Sequence, residues 1–272
     1  MNQSENIKLM LQAAYEAAAF IKKDYYAISE LQIQKKGLKD FVTKTDLKAE
    51  EILVSYLKKA RPSYAFLSEE SGEIKNNKLE ECEFRWIIDP IDGTFNFIHN
   101  NPNFAISIAL EHNSPHKNEI VCSLIYLPIT QEIFWAEKNK GAYYIDSRGV
   151  QSKINVSNRV EFEELSVIIN FLEKVDTKQK EQFLSHLIKN HCQVRISGSA
   201  VIDLAYLASG KHDLLIQANL HPWDIAAGLL LIQEAGVQAT NFEGSVLKLS
   251  DKNIIAANKE LIDQLRNLET HP

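Results

Sequence analysis

The chain has 272 residues, 45% of them hydrophobic and 24% charged, proportions that exclude a disordered, collagen-like or coiled-coil protein. Lys and Arg number 30 against 36 Asp and Glu, a net charge of -6, which argues against non-specific attachment to nucleic acid or to an acidic membrane. Cys82, Cys122 and Cys192 lie far apart and form no C-x-x-C pair, so no disulfide framework is expected and a reducing compartment fits. No run reaches the roughly 18 apolar residues of a membrane-spanning helix. The N-terminus has no basic start followed by a continuous apolar core. A cytoplasmic protein is expected.

In chain order, Ile7, Met10, Leu11, Ala14, Tyr15, Ala18 and Ile21 recur at helical spacing and predict an amphipathic first helix. A second helix is predicted from about Asp46 to Ala60, stopped by Arg61-Pro62 because proline cannot continue it. Strands follow at 64–67, 85–88, 104–111, 119–127, 133–137 and 142–145. The later ones leave no room for helices between them, which reads as an antiparallel sheet. After about residue 160, strands at 166–170, 193–196, 213–217 and 253–257 alternate with helices at 178–189, 199–208, 222–235 and 259–268. That alternation indicates an α/β layer. The expectation is a single domain of two lobes, about 1–155 and 156–272, sharing one core.

The most informative stretch is Trp86-Ile87-Ile88-Asp89-Pro90-Ile91-Asp92-Gly93-Thr94. An apolar strand runs into two carboxylates three residues apart, then a glycine and a hydroxyl. Pro90 lacks a donor and restricts its predecessor, so the strand is expected to stop at Asp89. Gly93 permits a turn, and Thr94 opens a short helix whose first amides favour an anion. Two carboxylates beside an anion site repel a phosphate unless a divalent cation lies between them. The pattern therefore points to metal-assisted phosphate chemistry. Taken singly, each piece has an ordinary explanation: Asp-Pro-Gly clusters form turns, Glu69-Glu70 suits a solvated loop, and Asp46 and Asp224 suit helix N-termini. Their combination is what carries weight. No Walker A pattern, H-E-x-x-H or G-x-S-x-G occurs.

Asp89-Pro90-Ile91-Asp92-Gly93-Thr94 with Asn96-Phe97, together with Trp223-Asp224-Ile225-Ala226-Ala227-Gly228, resembles the inositol monophosphatase family of Mg²⁺-dependent, lithium-sensitive phosphomonoesterases. Asp40-Phe41-Val42-Thr43-Lys44-Thr45-Asp46 and Glu69-Glu70-Ser71 match the family's other two blocks, in the same order. The resemblance implies a layered αβαβα sandwich of the sugar phosphatase type, with two or three Mg²⁺ ions. It places Glu69, Asp89 and the Ile91 carbonyl on a first ion, Asp89, Asp92 and Asp224 on a second, and Glu69 on a weaker third. All-oxygen ligands suit Mg²⁺. By the same resemblance Thr94, Asp46 and Glu69 are catalytic, activating the attacking water. The Gly93 and Thr94 amides would hold the phosphate, Asp92 would also contact the substrate, and Gly198, Ser199, Ala200 and Gln217 would meet the organic part. Gln217 stands where inositol-phosphate members carry glutamate, and Ser68 where glycine is common. Lys35 occupies the place of a lysine near the site.

The implied reaction is hydrolysis of a small polyol or sugar phosphate, inositol 1-phosphate first. The alternatives are fructose bisphosphate, NADP, histidinol phosphate or adenosine bisphosphate as substrate, or a regulatory role as a binding partner of the transcription machinery. The resemblance also implies a homodimer. No nucleic acid or membrane partner is expected.

Overall fold

In the computed structural model, which describes residues 3–27, 33–37, 40–74, 82–114, 118–170 and 177–270, the first apolar stripe folds as α1 (Glu5–Tyr25). The amide of Ile7, in its first turn, donates to the Ser4 hydroxyl at 3.3 Å, as an N-cap requires. A two-stranded hairpin, β1 (Ile33–Gly37) and β2 (Asp40–Thr43), leads into α2 (Lys44–Ala60). This helix starts two residues before the expected Asp46, because Thr43 caps it and Asp46 completes a capping box. The side chain of Lys35 lies outside the described residues.

Next come β3 (Ala65–Ser68), β4 (Gly72–Ile74), β5 (Phe84–Asp92) and the short α3 (Thr94–Ile98). The strands β6 (Ala105–Asn113), β7 (Asn118–Leu127), β8 (Glu132–Glu137), β9 (Gly141–Ile145) and β10 (Gln151–Ile154) follow. With β3, β4 and β5 they form an eight-stranded sheet in the order β10-β9-β8-β7-β6-β5-β3-β4. It is antiparallel from β5 to β10, as the short connections demand, while β3 runs parallel to β5.

The second half gives β11 (Ser166–Asn170), α4 (Thr177–Lys189), β12 (Gln193–Arg195), α5 (Ala200–Ala208), β13 (Leu214–Ala218), α6 (Pro222–Glu234), β14 (Gln238–Thr240), β15 (Asn253–Ala257) and α7 (Lys259–Thr270). The second sheet is five-stranded, in the order β12-β11-β13-β15-β14. Among the described residues no helix is long and apolar enough to cross a membrane.

Side-chain alternation assigns the layers. On β5, Trp86 and Ile88 face α1 and α2, packing with Met10, Ile21, Leu53 and Leu57. Ile87, between them, faces α5 and α6, and meets Val201, Leu204 and Leu230, as a period of two requires. Leu215, Ile254 and Ala256 of the second sheet join that same cluster, so one core spans both halves of the chain. The far face of the second sheet, with Val167, Leu214 and Ile216, packs on Leu187 of α4 and on Leu261 and Ile262 of α7. The order is helix pair, sheet, helix pair, sheet, helix pair: the αβαβα sandwich. Each fully buried Leu, Ile or Phe in these layers contributes about 1.5–3 kcal/mol relative to exposure.

One expectation is corrected. The strand carrying the two aspartates does not stop at Asp89; it runs through Pro90 to Asp92. Asp89 pairs with Ser107 and Asp92 with Ala105, so β5 spends three steps where β6 spends two. The extra residue is a β-bulge, where a strand tolerates a proline that cannot donate to the ladder.

Candidate active site

Chain geometry brings the acids together. Residues three apart on a flat strand point to opposite faces, and the bulge at Pro90 cancels that, turning Asp89 and Asp92 to one side. The parallel pairing of β3 with β5 ends at Ser68 opposite Ile88, and the Glu69 amide donates to the Ile88 carbonyl at 3.2 Å. Glu69 therefore emerges beside Asp89. Asp224 arrives from the first turn of α6, where the His221 amide donates to its Oδ2 at 2.7 Å. One carboxylate oxygen from each of Asp89, Asp92 and Asp224 lies within 4.8 Å of the other two.

These carboxyls are uncomfortable without a cation. Asp89 is 1% exposed; burial, then the charges of Glu69, Asp92 and Asp224, raise its pKa well above the ordinary carboxylate value, and a hydrogen bond with Glu69 adds to the rise. Burial lifts Asp92 to about 6, against the hydrogen bonds it accepts from Ser199 and from the amide of Val201. Burial and the charge of Asp92 lift Asp224 to about 7. Like charges forced together in low dielectric do this, and a divalent ion between them relieves it. The donor set is all oxygen, partly buried and convergent, which fits a hard cation such as Mg²⁺.

Asp46 belongs to the same cleft. Its Oδ2 takes the Thr43 amide at 2.9 Å and the Thr43 hydroxyl at 2.5 Å, and its Oδ1 accepts the Thr94 hydroxyl at 3.0 Å. Burial raises its pKa, and the hydrogen bonds from Thr43 and Thr94 oppose the rise. Asp46 and Asp224 thus share one device: each stands at the third position of a helix, caps it with one oxygen and leaves the other to the cleft. The Thr94 hydroxyl also lies 3.1 Å from the Ile91 carbonyl, and the Ile91 amide donates to Asp89 Oδ1 at 3.0 Å. Gly93 has φ of 95°, and a Cβ there would meet the Asn103 carbonyl at 3.0 Å, so glycine is needed both for the turn and for the space.

The expected contacts to the organic part are placed unevenly. Gly198 is exposed, whereas Ser199 and Ala200 are buried. The Ser199 hydroxyl donates to Asp92 Oδ2, and so does the Val201 amide, at 2.9 Å. Gln217 has no exposed surface; its Nε2 donates to Asp203 Oδ2 at 2.7 Å. The structure therefore sets Gln217 beneath the cleft rather than on its wall. Ser68, too, is wholly buried, with its hydroxyl on Glu50. His221 is exposed and stacks on Trp223 at 5.0 Å between ring centroids.

Sequence reasoning missed three residues here. Glu50 holds the loop that carries Glu69. Asn96 ties α3 to the 197–199 loop, donating to the carbonyls of Ser197 at 2.9 Å and Asn103 at 2.7 Å. Asp203 lies under the cleft, its pKa pushed by burial to about 8. Glu50 left a signal, sitting four residues after Asp46 on one helix face, and Asn96 stood inside the Asn96-Phe97 motif without a role assigned to it.

A layered phosphatase sandwich whose strand ends and helix starts converge on a carboxylate cluster defines a metal-dependent phosphoester hydrolase. The model of the inositol monophosphatase family matches residues 2–271. The inositol-1-monophosphatase of Caulobacter vibrioides is 39% identical over 259 residues, covering 94% of this chain and 97% of that protein. The Nus factor SuhB of Vibrio cholerae is 35% identical, covering 93% and 91%. Among solved structures, the extragenic suppressor protein suhB from Bartonella henselae superposes with a TM-score of 0.88 at 38% identity, covering 97% of this chain and 98% of that one. The chain belongs to the inositol monophosphatase family and is a phosphomonoesterase.

Proposed function

We propose that the protein hydrolyses inositol 1-phosphate to inositol and phosphate, with two or three Mg²⁺ ions. The observation that carries this is the partly buried convergence of Asp89, Asp92 and Asp224, in a chain 39% identical to a protein named inositol-1-monophosphatase. Asp89, Glu69 and the Ile91 carbonyl would hold one ion, Asp89, Asp92 and Asp224 a second, and Glu69 would contribute to a third. Bound there, Mg²⁺ supplies the positive charge that offsets an anionic ester and its leaving group, and lowers the pKa of the attacking water.

The remaining work falls to the chain's own groups. The Thr94 hydroxyl donates a hydrogen bond to Asp46 Oδ1, which leaves its oxygen lone pairs to accept from a water and aim it at phosphorus. Asp46 is fixed by two bonds from Thr43, so the pair is oriented before substrate arrives. Glu69, beside Asp89, shares in taking the water's proton. The backbone of Gly93 and Thr94 receives phosphate oxygens. Gly198 offers the exposed backbone for the polyol, while Ser199 acts by holding Asp92, and Gln217 and Asp203 shape the floor below. We further propose a cytoplasmic homodimer that binds neither nucleic acid nor membrane; light scattering at the mass of one chain would remove the dimer.

The test is phosphate release from a panel of inositol 1-phosphate, fructose bisphosphate, NADP, histidinol phosphate and adenosine bisphosphate, with Mg²⁺ and with a chelator. Inositol 1-phosphate is expected to rank first and only with Mg²⁺; release that persists in chelator sinks the metal reading, and another ester ranking first replaces the substrate. The Nus factor name of the Vibrio cholerae relative favours a second reading, as a partner of the transcription machinery. Retention of transcription proteins by an Asp89→Asn variant supports it, and their loss leaves metabolism.

A further inference from the structure

α2 touches the site twice. Asp46, in its first turn, holds Thr94. Glu50 lies one turn on, where side chains four apart share a face. It is 3% exposed, and a carboxylate so buried is costly unless hydrogen-bonded. Its Oε2 accepts the Ser68 hydroxyl at 2.5 Å and the Glu70 amide at 2.9 Å, and its Oε1 accepts the Ser71 hydroxyl. These three donors stand on both sides of Glu69, whose own carboxyl lies against Asp89.

We propose that Glu50 is a positioning residue that presets Glu69 for metal binding, and that α2 thereby fixes the spacing between the Glu69 loop and Thr94. The inference rests on the metal-dependent reading above. Glu69 sits in a tight connection between β3 and β4, half-buried, and such a loop left free would have to be ordered at each binding event. Glu50 removes that cost by accepting three hydrogen bonds from the residues on both sides of Glu69. Its first effect is on the metal's affinity, because its hydrogen bonds go to Ser68, Glu70 and Ser71 around Glu69.

The test uses metal-free protein titrated with Mn²⁺ by calorimetry, alongside the Mg²⁺ half-saturation of phosphate release and the melting temperature. Glu50→Ala is expected to weaken Mn²⁺ binding by about 10- to 100-fold, the usual loss on removing an outer partner of a metal ligand. The Mg²⁺ half-saturation is expected to move by the same factor, and kcat at saturating Mg²⁺ to fall by less than that factor, since saturating metal re-orders Glu69. Glu50→Gln is expected to restore binding, because its oxygen still accepts from Ser68 and Glu70 and its amide can donate to Ser71. A glutamine variant as weak as the alanine one would show that charge, not position, is at work, and would overturn the proposal. So would a lowered melting temperature with unchanged Mn²⁺ binding. If Glu50→Ala does not fold, Ser71→Ala carries the same prediction in weaker form, and parental binding there refutes it. A parent that binds no Mn²⁺ refutes the metal reading itself; a parent that binds Mn²⁺ while Glu50→Ala binds equally well refutes only the role of Glu50.

Discussion

Replacing Asp203 with asparagine is expected to make the protein more stable at high pH than at low pH relative to its parent. Asp203 is 1% exposed on α5, and burial, with a smaller push from the charge of Asp92, raises its pKa from 3.8 to about 8. Hydrogen bonds with Ser197 and Gln217 oppose that rise without cancelling it. Between those two values the folded chain keeps a proton that the unfolded chain has lost. Stability therefore falls as pH rises through that window, and the loss is complete above the folded value. One proton is worth about 1.4 kcal/mol per pH unit, so from about pH 5 to about pH 7.5 the group costs roughly 3 kcal/mol. Asparagine keeps the shape and can accept from Gln217 Nε2 through its oxygen, but it has no proton to lose. Urea unfolding of metal-free protein, followed by the fluorescence of the buried Trp86 and Trp135, measures the difference at both pH values. A gap between variant and parent that grows by a few kcal/mol agrees with the reasoning. Parallel pH curves would refute it, because they would mean that Asp203 is already ionised in the folded protein.

Asp46→Asn is expected to lower kcat by about 100-fold or more, the scale of lost general-base assistance, with KM nearly unchanged; steady-state kinetics at saturating Mg²⁺ would show otherwise by returning a parental kcat. Mg²⁺ added to metal-free protein near about pH 6 is expected to release protons, fewer near about pH 8, because ligands must ionise to bind and Asp92 and Asp224 titrate at about 6 and about 7; calorimetry in buffers of different ionisation enthalpy counts them, and a count of zero at the lower pH contradicts the carboxyl assignments. Gly228→Ala is expected to cost about 1–3 kcal/mol by overpacking, since its Cβ would fall 2.3 Å from Leu204 Cδ1 and 2.8 Å from Leu204 Cβ. An unchanged urea midpoint would mean that α5 and α6 move apart to admit the methyl group at no cost.

The parts of this molecule that announce themselves in sequence are those with a period or a compact motif. The α1 stripe, the run of strands from 104 to 145 and the later α/β alternation all follow from apolar spacing, and they suffice for the sandwich. Three of the short edge strands do not: β4 and β14 span three residues each and β10 four, too few to show alternation. The bulge was misread because proline after Asp89 looked like a strand end, whereas the ladder resumes at Asp92. Of the site, the carboxylates were legible because they cluster at element ends in a fixed order. Glu50 and Asp203 were not, for each looks like an ordinary helix residue until the fold places Ser68 or Gln217 against it; Asn96 stood in the motif, but its role shows only with the Ser197 carbonyl against it. Gln217 shows the converse: its place in the motif suggested substrate, and its burial, with Nε2 on Asp203 Oδ2, could not be read there.

The most direct measurement is Mn²⁺ titration of the metal-free Asp89→Asn variant beside its parent, with circular dichroism to confirm that both are folded. Asp89 is where Glu69, Asp92 and Asp224 meet, so the parent is expected to take up metal and the folded variant to bind it at least about 10-fold more weakly, with phosphate release lost. A folded variant that binds Mn²⁺ as the parent does, and still releases phosphate, would contradict the assignment of these carboxylates to the metal.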